Sequence, residues 1–229
     1  MKRTIYWILF FALSMAFSSC GIYYPQSVDI PLLEAKNDCR IDAGVNVTGV
    51  HASIAYGLTD HIALQTHCNS IFAEDHYMQI APGWYHKFDK SVMEIYCGYG
   101  AGRGTRHYAP HVLGGGSLTG NYFLYFAQLD YGRNHLWDKN IDLAFGVKGM
   151  YVEGSAKSEW DEGCIRHTDM YRGANFLIEP AVEMRFGWDH LKFSVSVGYI
   201  VPITNSILFD AKYNSNFFGT IGLNYYFHL

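Results

Sequence analysis

The chain is poor in proline, with 6 in 229 residues, and poor in charge, with 17% Asp, Glu, Lys and Arg. Beside 49% hydrophobic residues, that scarcity excludes a disordered chain, a collagen and a coiled coil. There is no basic excess: a net charge of −4 and a pI of 6.2 leave no cationic footprint for phosphate neutralisation, so nucleic acid is not a partner. No apolar run is long enough to cross a bilayer as a helix, Ile5 to Phe17 being too short. A helical period sustained over about ten residues is nowhere found, so helix is nearly absent. What the chain does hold is 18 Tyr, 15 Phe, 5 Trp and 23 Gly at a mean hydropathy of −0.03. Aromatic and glycine richness with hydropathy averaged to zero indicates many alternating β-strands.

Lys2 and Arg3 precede the apolar run, and Ser18, Ser19 and Cys20 follow it, the pattern of a bacterial secretory signal over residues 1–19. Phe17-Ser18-Ser19-Cys20 resembles the lipobox of bacterial lipoproteins, which implies that Cys20 becomes the diacylated first residue of the mature chain. Residues 20–37, with Tyr23-Tyr24-Pro25 and Ile30-Pro31-Leu32-Leu33, have no period and read as a tether from that lipid to a domain spanning 38–229.

From Arg40 onward the period is two. Ile41, Ala43, Val45 and Val47 alternate with Arg40, Asp42, Gly44 and Asn46. Phe176, Ile178, Val182, Met184 and Phe186 alternate with Glu179, Glu183 and Arg185, and Leu191, Phe193, Val195 and Val197 with Lys192, Ser194 and Ser196. One face is large and apolar and the other small or polar. Such an inventory suits a transmembrane barrel with an apolar exterior, and equally a soluble barrel turned greasy side in.

The pattern predicts ten strands near 40–47, 50–57, 61–69, 76–87, 91–102, 121–132, 140–153, 174–187, 190–201 and 216–228, or eight if 40–57 is a peripheral hairpin. Alternate links are short and hold Asp: Thr59-Asp60-His61, Phe88-Asp89-Lys90, Trp137-Asp138-Lys139 and Trp188-Asp189-His190. Asp side chains suit such turns by accepting from nearby backbone amides. The opposite links, near 70–75, 103–120, 154–173 and 202–215, are longer. Short turns at one end and long loops at the other are the asymmetry of outer-membrane barrels, with the turns in the periplasm. An even strand count sets both termini on the short-turn side, which predicts a periplasmic lipid anchor. Trp84, Tyr85, Phe88, Trp137, Phe186, Trp188, Tyr225 and Phe227 fall near strand ends, where interfacial belts would lie.

The closing Gly222-Leu223-Asn224-Tyr225-Tyr226-Phe227-His228-Leu229 resembles the C-terminal strand read by the barrel assembly machinery. With the lipobox, the tether and the hairpin Tyr56-Gly57-Leu58-Thr59-Asp60-His61, the chain resembles the uncharacterised outer-membrane β-barrel lipoproteins of Bacteroidota. The resemblance implies fold and location and brings no catalytic residues.

The polar face collects Arg40, Asp42, Glu94, Asp130, Asp142, Lys148, Glu179, Glu183, Arg185 and Lys192, both signs of charge. Enclosed charges must pair or stay hydrated, so a plugged, salt-bridged lumen is the first expectation and a narrow pore lined by Glu179, Glu183, Arg185 and Lys192 the second. His107 and His111 flank a proline that discourages a ligand-presenting helix, and Asp161, His167 and Asp169 lie in one loop without a nucleophile elbow; neither metal nor catalysis is expected. His51, His67 and His228 fall on the polar face, Cys68 and Cys97 on the apolar face, and Cys39 lies a membrane thickness from Cys164, so no disulfide framework is predicted.

The reading is thus all-β: a single antiparallel up-and-down transmembrane β-barrel, lipid-anchored in the bacterial outer membrane, without enzymatic activity or cofactor. Its partners are outer-membrane lipids, the assembly machinery during biogenesis and an unidentified surface partner. The alternative is a lipid-tethered, lipocalin-like soluble barrel with Leu191, Phe193, Val195 and Val197 lining a cavity for an apolar ligand.

Overall fold

The computed structural model describes residues 22–23, 28–46, 49–71, 75–108, 116–136, 140–162, 165–204 and 216–229. Their strands are β1 (Asp38–Asn46), β2 (Gly49–Gly57), β3 (Ile62–Ile71), β4 (Asp75–Lys87), β5 (Val92–Tyr108), β6 (Gly116–Arg133), β7 (Ile141–Glu162), β8 (Ile165–Gly187), β9 (Leu191–Tyr199), β10 (Val201–Pro202) and β11 (Phe217–His228). β9 and β10 form a single stave, because both follow β8 in one register, from Gly198 opposite Ala181 to Val201 opposite Ile178. The ladder breaks where that stave passes Pro180, which has no N–H to donate. Each stave pairs antiparallel with its neighbour, and β1 closes on β11 from Asp38 opposite His228 to Asn46 opposite Thr220. The result is a closed antiparallel barrel of ten staves, with the 40–57 hairpin inside the wall.

Alternation sets the two faces. Val45, Ile54, Tyr99, Phe123, Tyr125, Leu129, Phe145, Phe193 and Ile221 are exposed on the exterior, whereas Asp42, Gln65, Gln79, Glu94, Asp130, Lys148 and Glu179 are buried in the lumen. Leu191, Phe193 and Val197 are exposed, so the greasy-interior soluble barrel is ruled out: these side chains face outward rather than into an enclosed cavity. Cys68 and Cys97 also face outward.

Aromatic rings gather at both margins of the apolar exterior. Trp84 stacks with His86 and lies near His61, and Phe186 stacks with Phe193, at the short-turn end. Tyr151 packs on Phe176 at the other. From Phe176 to Phe186 along β8, strand rise and tilt give a height of about 25 Å, matching the apolar band of an outer-membrane barrel. Tyr85, expected in such a belt, instead turns inward, buried, and donates to the Thr59 carbonyl at 2.6 Å. Trp137 lies outside the described residues.

The short turns are tight. Leu58 N–H donates to the Ile62 carbonyl at 2.8 Å and Trp188 N–H to that of Leu191 at 2.8 Å. In the first turn the side-chain acceptor is Thr59 rather than Asp60: its Oγ1 receives the His61 and Ile62 amides at 3.2 and 2.9 Å.

Two expectations need correction. The segments 103–120 and 154–173, read as loops, are largely strand: β5 pairs with β6 as far as Tyr108 opposite Gly116, and β7 with β8 as far as Glu162 opposite Ile165. Past Leu118 and Ala156, the last buried inner-face residues of β6 and β7, both faces of these strands meet water, so the alternation that marks a buried face fades while the hydrogen-bond ladder continues. From Glu153 to Glu162, β7 alone extends about 30 Å along its own axis. Second, the segment before β1 is not an external tether. Val28, Ile30, Leu32 and Leu33 are buried inside the barrel, as are Ile22 and Tyr23.

Candidate functional site in the barrel lumen

A ten-stranded barrel is slightly wider than the eight-stranded kind that its own side chains fill. Here the extra width is occupied by the chain's N-terminal segment. The segment enters β1 through a reversal at Asn37, whose φ of 68° is tolerated by an Asn side chain. Asn37 N–H donates to the Gly57 carbonyl at 2.8 Å, Tyr56 Oη–H donates to Asn37 Oδ1 at 3.0 Å, and Asp38 Oδ2 receives the Glu34 and Ala35 amides, each at 2.8 Å. That clamp sits at the short-turn mouth, where Lys87 also pairs with Glu34 and Asn134 donates to Glu34 at 2.7 Å.

Further in, Leu32 adopts φ of 55°, a left-handed conformation that costs energy for a branched side chain. The conformation turns two successive amides to one side, and both meet the Glu94 carboxylate: Leu32 N–H at 2.9 Å from Oε2 and Leu33 N–H at 2.8 Å from Oε1. A backbone nest holding a buried carboxylate satisfies charge and amides together. Deeper, Gln65 and Gln128 donate to the Asp29 carbonyl at 2.8 and 2.7 Å, and the Arg185 guanidinium donates to the Ile30 carbonyl. Tyr23 Oη–H donates to Glu179 at 2.9 Å and its ring meets Tyr122 edge-on at 5.3 Å.

Glycines give the segment room. A Cβ on Gly57 would stand 2.6 Å from the Ala35 carbonyl oxygen, one on Gly132 2.8 Å from Leu32 Cδ1 and one on Gly146 3.0 Å from Ile30 Cδ1. At the far end a Cβ on Gly104 would stand 2.0 Å from the Ile22 carbonyl oxygen. Gly57 and Gly132 lie at the short-turn mouth, and Gly104 pairs with Gly120 toward the projecting rim. Among the described residues, Ile22 therefore stands toward the projecting end of the lumen and Ala35 to Asp38 at the short-turn end. Strand parity fixes where β1 begins, not where the chain before it leads.

Around the segment the wall groups pair. Lys192 donates to Asp142 at 2.6 Å, Arg40 lies 3.7 Å from Asp142, and Arg185 Nε donates to Glu183 at 2.7 Å. Asp42 holds His51 at 2.9 Å and accepts from Ser194 at 3.0 Å; His51 stacks on His67 at 5.8 Å. Lys148 donates to Gln79 at 2.6 Å with its ammonium 4.3 Å from the Phe126 ring centre, and Gln128 donates to Asp130 at 2.8 Å. Glu94, Asp130, Lys148 and Glu179 are each 0% exposed. Wall charges in a water-filled pore would be open to solvent, so these values mean a filled lumen. Of the ten wall residues, four are cationic (Arg40, Lys148, Arg185, Lys192) and six acidic; the segment's amides on Glu94 offset part of that acidic excess.

No protein-family model matches the chain, and no curated protein does. Solved structures do. The chain is similar to the translocator domain of autotransporter NalP from Neisseria meningitidis, at 8% identity over 83% of this chain and 86% of that one, with a TM-score of 0.45. It is similar to KdgM porin at 12% identity over 83% and 99%, TM-score 0.36, and to Acinetobacter baumannii CarO2 at 11% over 88% and 100%, TM-score 0.26.

All ten residues singled out from the polar face point into the lumen, and the structure joins them in separate small groups rather than one continuous file. His167 stacks on Trp160 at 5.3 Å in the projecting hairpin, and Asp169 accepts from Tyr171 at 3.3 Å. His228 is bound to Asp38 at 2.9 Å at the barrel end. Among the described residues no three His, Cys, Asp or Glu side chains gather as metal ligands. Cys20, His111 and Cys164 lie outside the described residues. Sequence reasoning placed Gln65 on the polar face without its partner, and missed Gln128, Asn134 and the glycines facing the segment. The one available signal was Ile30-Pro31-Leu32-Leu33, which is more apolar than a solvated tether requires.

Proposed function

We propose that the protein is an outer-membrane β-barrel lipoprotein whose lumen is sealed by its own N-terminal segment and whose projecting β5–β8 rim serves a surface-interaction role. The observation that carries this reading is the burial of Ile22, Tyr23, Val28, Ile30, Leu32 and Leu33 among the wall charges. The uncharged apolar exterior supports a lipid surround, and the long strands on one side support an outward-facing rim. Cys20 precedes Ile22 by two residues, a chain reach of about 7 Å. Its acyl group, on this reading, belongs at the projecting rim, so the chain is threaded with its lipid facing outward. The resemblance to Bacteroidota barrel lipoproteins supports the fold and the outer-membrane location, and the assembly machinery and outer-membrane lipids are its partners in biogenesis. Conduction as a narrow pore requires the segment to leave.

The test has two readouts on the full chain. In planar bilayers the intact protein should not conduct, whereas a variant lacking residues 22–33 should give stable channels. On whole cells, an epitope inserted after Gly21 should be reached by antibody. An intact chain that conducts as well as the deletion overturns the sealed lumen; an epitope reached only after the outer membrane is opened overturns the threading.

A further inference from the structure

The exterior of the barrel carries a built amphipathic groove. Where β4 to β8 leave the apolar band, one register row reads His76, Arg103, Asn121, Ser155 and Arg172, each directly opposite the next. The row below reads Met78, Ala101, Phe123, Glu153 and Ala174, and the row below that Ile80, Tyr99, Tyr125, Tyr151 and Phe176. Over three rows the surface passes from aromatic and apolar to basic. A recess of about 920 Å³ lies across the upper two rows, and a second of about 420 Å³ lies beneath it on β2–β5, floored by small or short groups including Ala52, Thr66 and Cys68. Met78 and Ala101 line both, so the two recesses adjoin.

We infer that this groove binds one phosphate-bearing lipid of the surrounding leaflet, its headgroup phosphate held by Arg103 and Arg172 and one acyl chain lying along Ala52, Thr66, Cys68 and Ala101. The inference rests on the membrane reading above. Arg103 and Arg172 stand three strand spacings apart, about 14 Å, within the combined reach of two extended arginine side chains over the short Asn121 and Ser155. Arginine is suited to phosphate because its fork donates two parallel hydrogen bonds. His76, whose Nδ1 lies 3.2 Å from Ser70 Oγ, sits directly beside Arg103 on β4. Glu153 is the one acidic group in the recess, and it accepts a hydrogen bond from a hydroxyl or ammonium of the same headgroup. Charge complementarity selects the phosphate. The adjoining apolar recess selects a lipid over free phosphate, since phosphate alone has no use for it.

The test is native mass spectrometry of the detergent-purified full chain titrated with phosphatidylglycerol, diacylglycerol or inorganic phosphate. Phosphatidylglycerol should bind one per barrel, and the other two at least about tenfold more weakly. Arg103→Gln combined with Arg172→Gln should weaken phosphatidylglycerol by about tenfold or more and leave diacylglycerol unchanged. Ala101→Phe, which fills the junction of the recesses, should weaken both lipids. Equal binding of phosphatidylglycerol and diacylglycerol, no response to either variant, or inorganic phosphate binding as tightly as the lipid would overturn the proposal. Heat-modifiable migration on a detergent gel reports the barrel separately. A wild-type chain without the gel shift sinks the membrane reading; a shifted wild-type chain whose lipid binding ignores both variants sinks the groove alone.

Discussion

Replacing Glu94 by Ala isolates what holds the inner segment down. The carboxylate receives two amides of the segment at 2.9 and 2.8 Å, those of Leu32, which is in a left-handed conformation, and of Leu33 after it. Hydrogen bonds to a buried charge contribute about 1.5–3 kcal/mol each, so their joint loss removes at least about 3 kcal/mol of local stability. By itself that does not empty the lumen. Ile22, Val28, Ile30, Leu32 and Leu33 are buried side chains, each worth about 1.5–3 kcal/mol of burial, which keeps the segment in place in nearly all molecules. What changes is the fraction of molecules in which the turn is open. At 1.4 kcal/mol per tenfold, about 3 kcal/mol raises the open population by about 150-fold, and hydrogen exchange of the Leu32 and Leu33 amides reads that population directly. Exchange mass spectrometry on the peptide covering 28–37 should therefore show these amides exchanging about two orders of magnitude faster in Glu94→Ala, with the strand amides of β2 and β3 unchanged. Equal protection in the two proteins would refute the nest as the segment's fastening.

Further outcomes are expected at the wall. Arg185→Met leaves the Glu183 carboxylate buried without its 2.7 Å partner and frees the Ile30 carbonyl, so urea unfolding in vesicles should report a loss of about 3–5 kcal/mol. Gly146→Val sets a Cβ 2.5 Å from Asp130 Oδ1 and 3.0 Å from Ile30 Cδ1; overpacking of about 1–3 kcal/mol should lower the temperature at which the gel shift is lost. Val195→Arg, outward between Met184 and Ile221, should cost about 2–4 kcal/mol of stability in lipid, read from the same urea curves, and the penalty should shrink in a detergent that lets the side chain reach water.

The wall was legible because a stave with one apolar face must alternate strictly: Leu191, Phe193, Val195 and Val197 against Lys192, Ser194 and Ser196 show which residues share a face, though not which face is turned outward. The same logic explains where reading stopped. Past Leu118 and Ala156 the strands have water on both sides, so no face needs to be apolar, and strand and loop look alike in sequence. The inner segment has no period because it makes no ladder. Its partners Gln65, Glu94, Gln128 and Arg185 lie 36, 61 to 62, 99 and 155 residues away along the chain, and only closure of the barrel brings them together. The ten lumen charges were visible as a set, but which carboxylate would meet a guanidinium and which a pair of backbone amides depended on that segment.

The seam between β1 and β11 constrains the order of assembly. The first strand cannot join the last until the rest of the wall exists, and the segment that precedes β1 makes contacts from β2 and β3 as far round the circumference as β5, β6 and β8. Once Asp38 to Asn46 has zipped onto His228 to Thr220, the ring offers only its two mouths as a way in. A newly made chain that lays its first residues against the open, curved sheet before that zipper runs avoids threading a mouth, much as a cable is laid in a split conduit before the conduit is snapped shut. The glycines and amide-binding carboxylate along the inner wall then serve biogenesis as well as the finished protein: they are the berth that catches the leading end of the chain while the cylinder is still a trough.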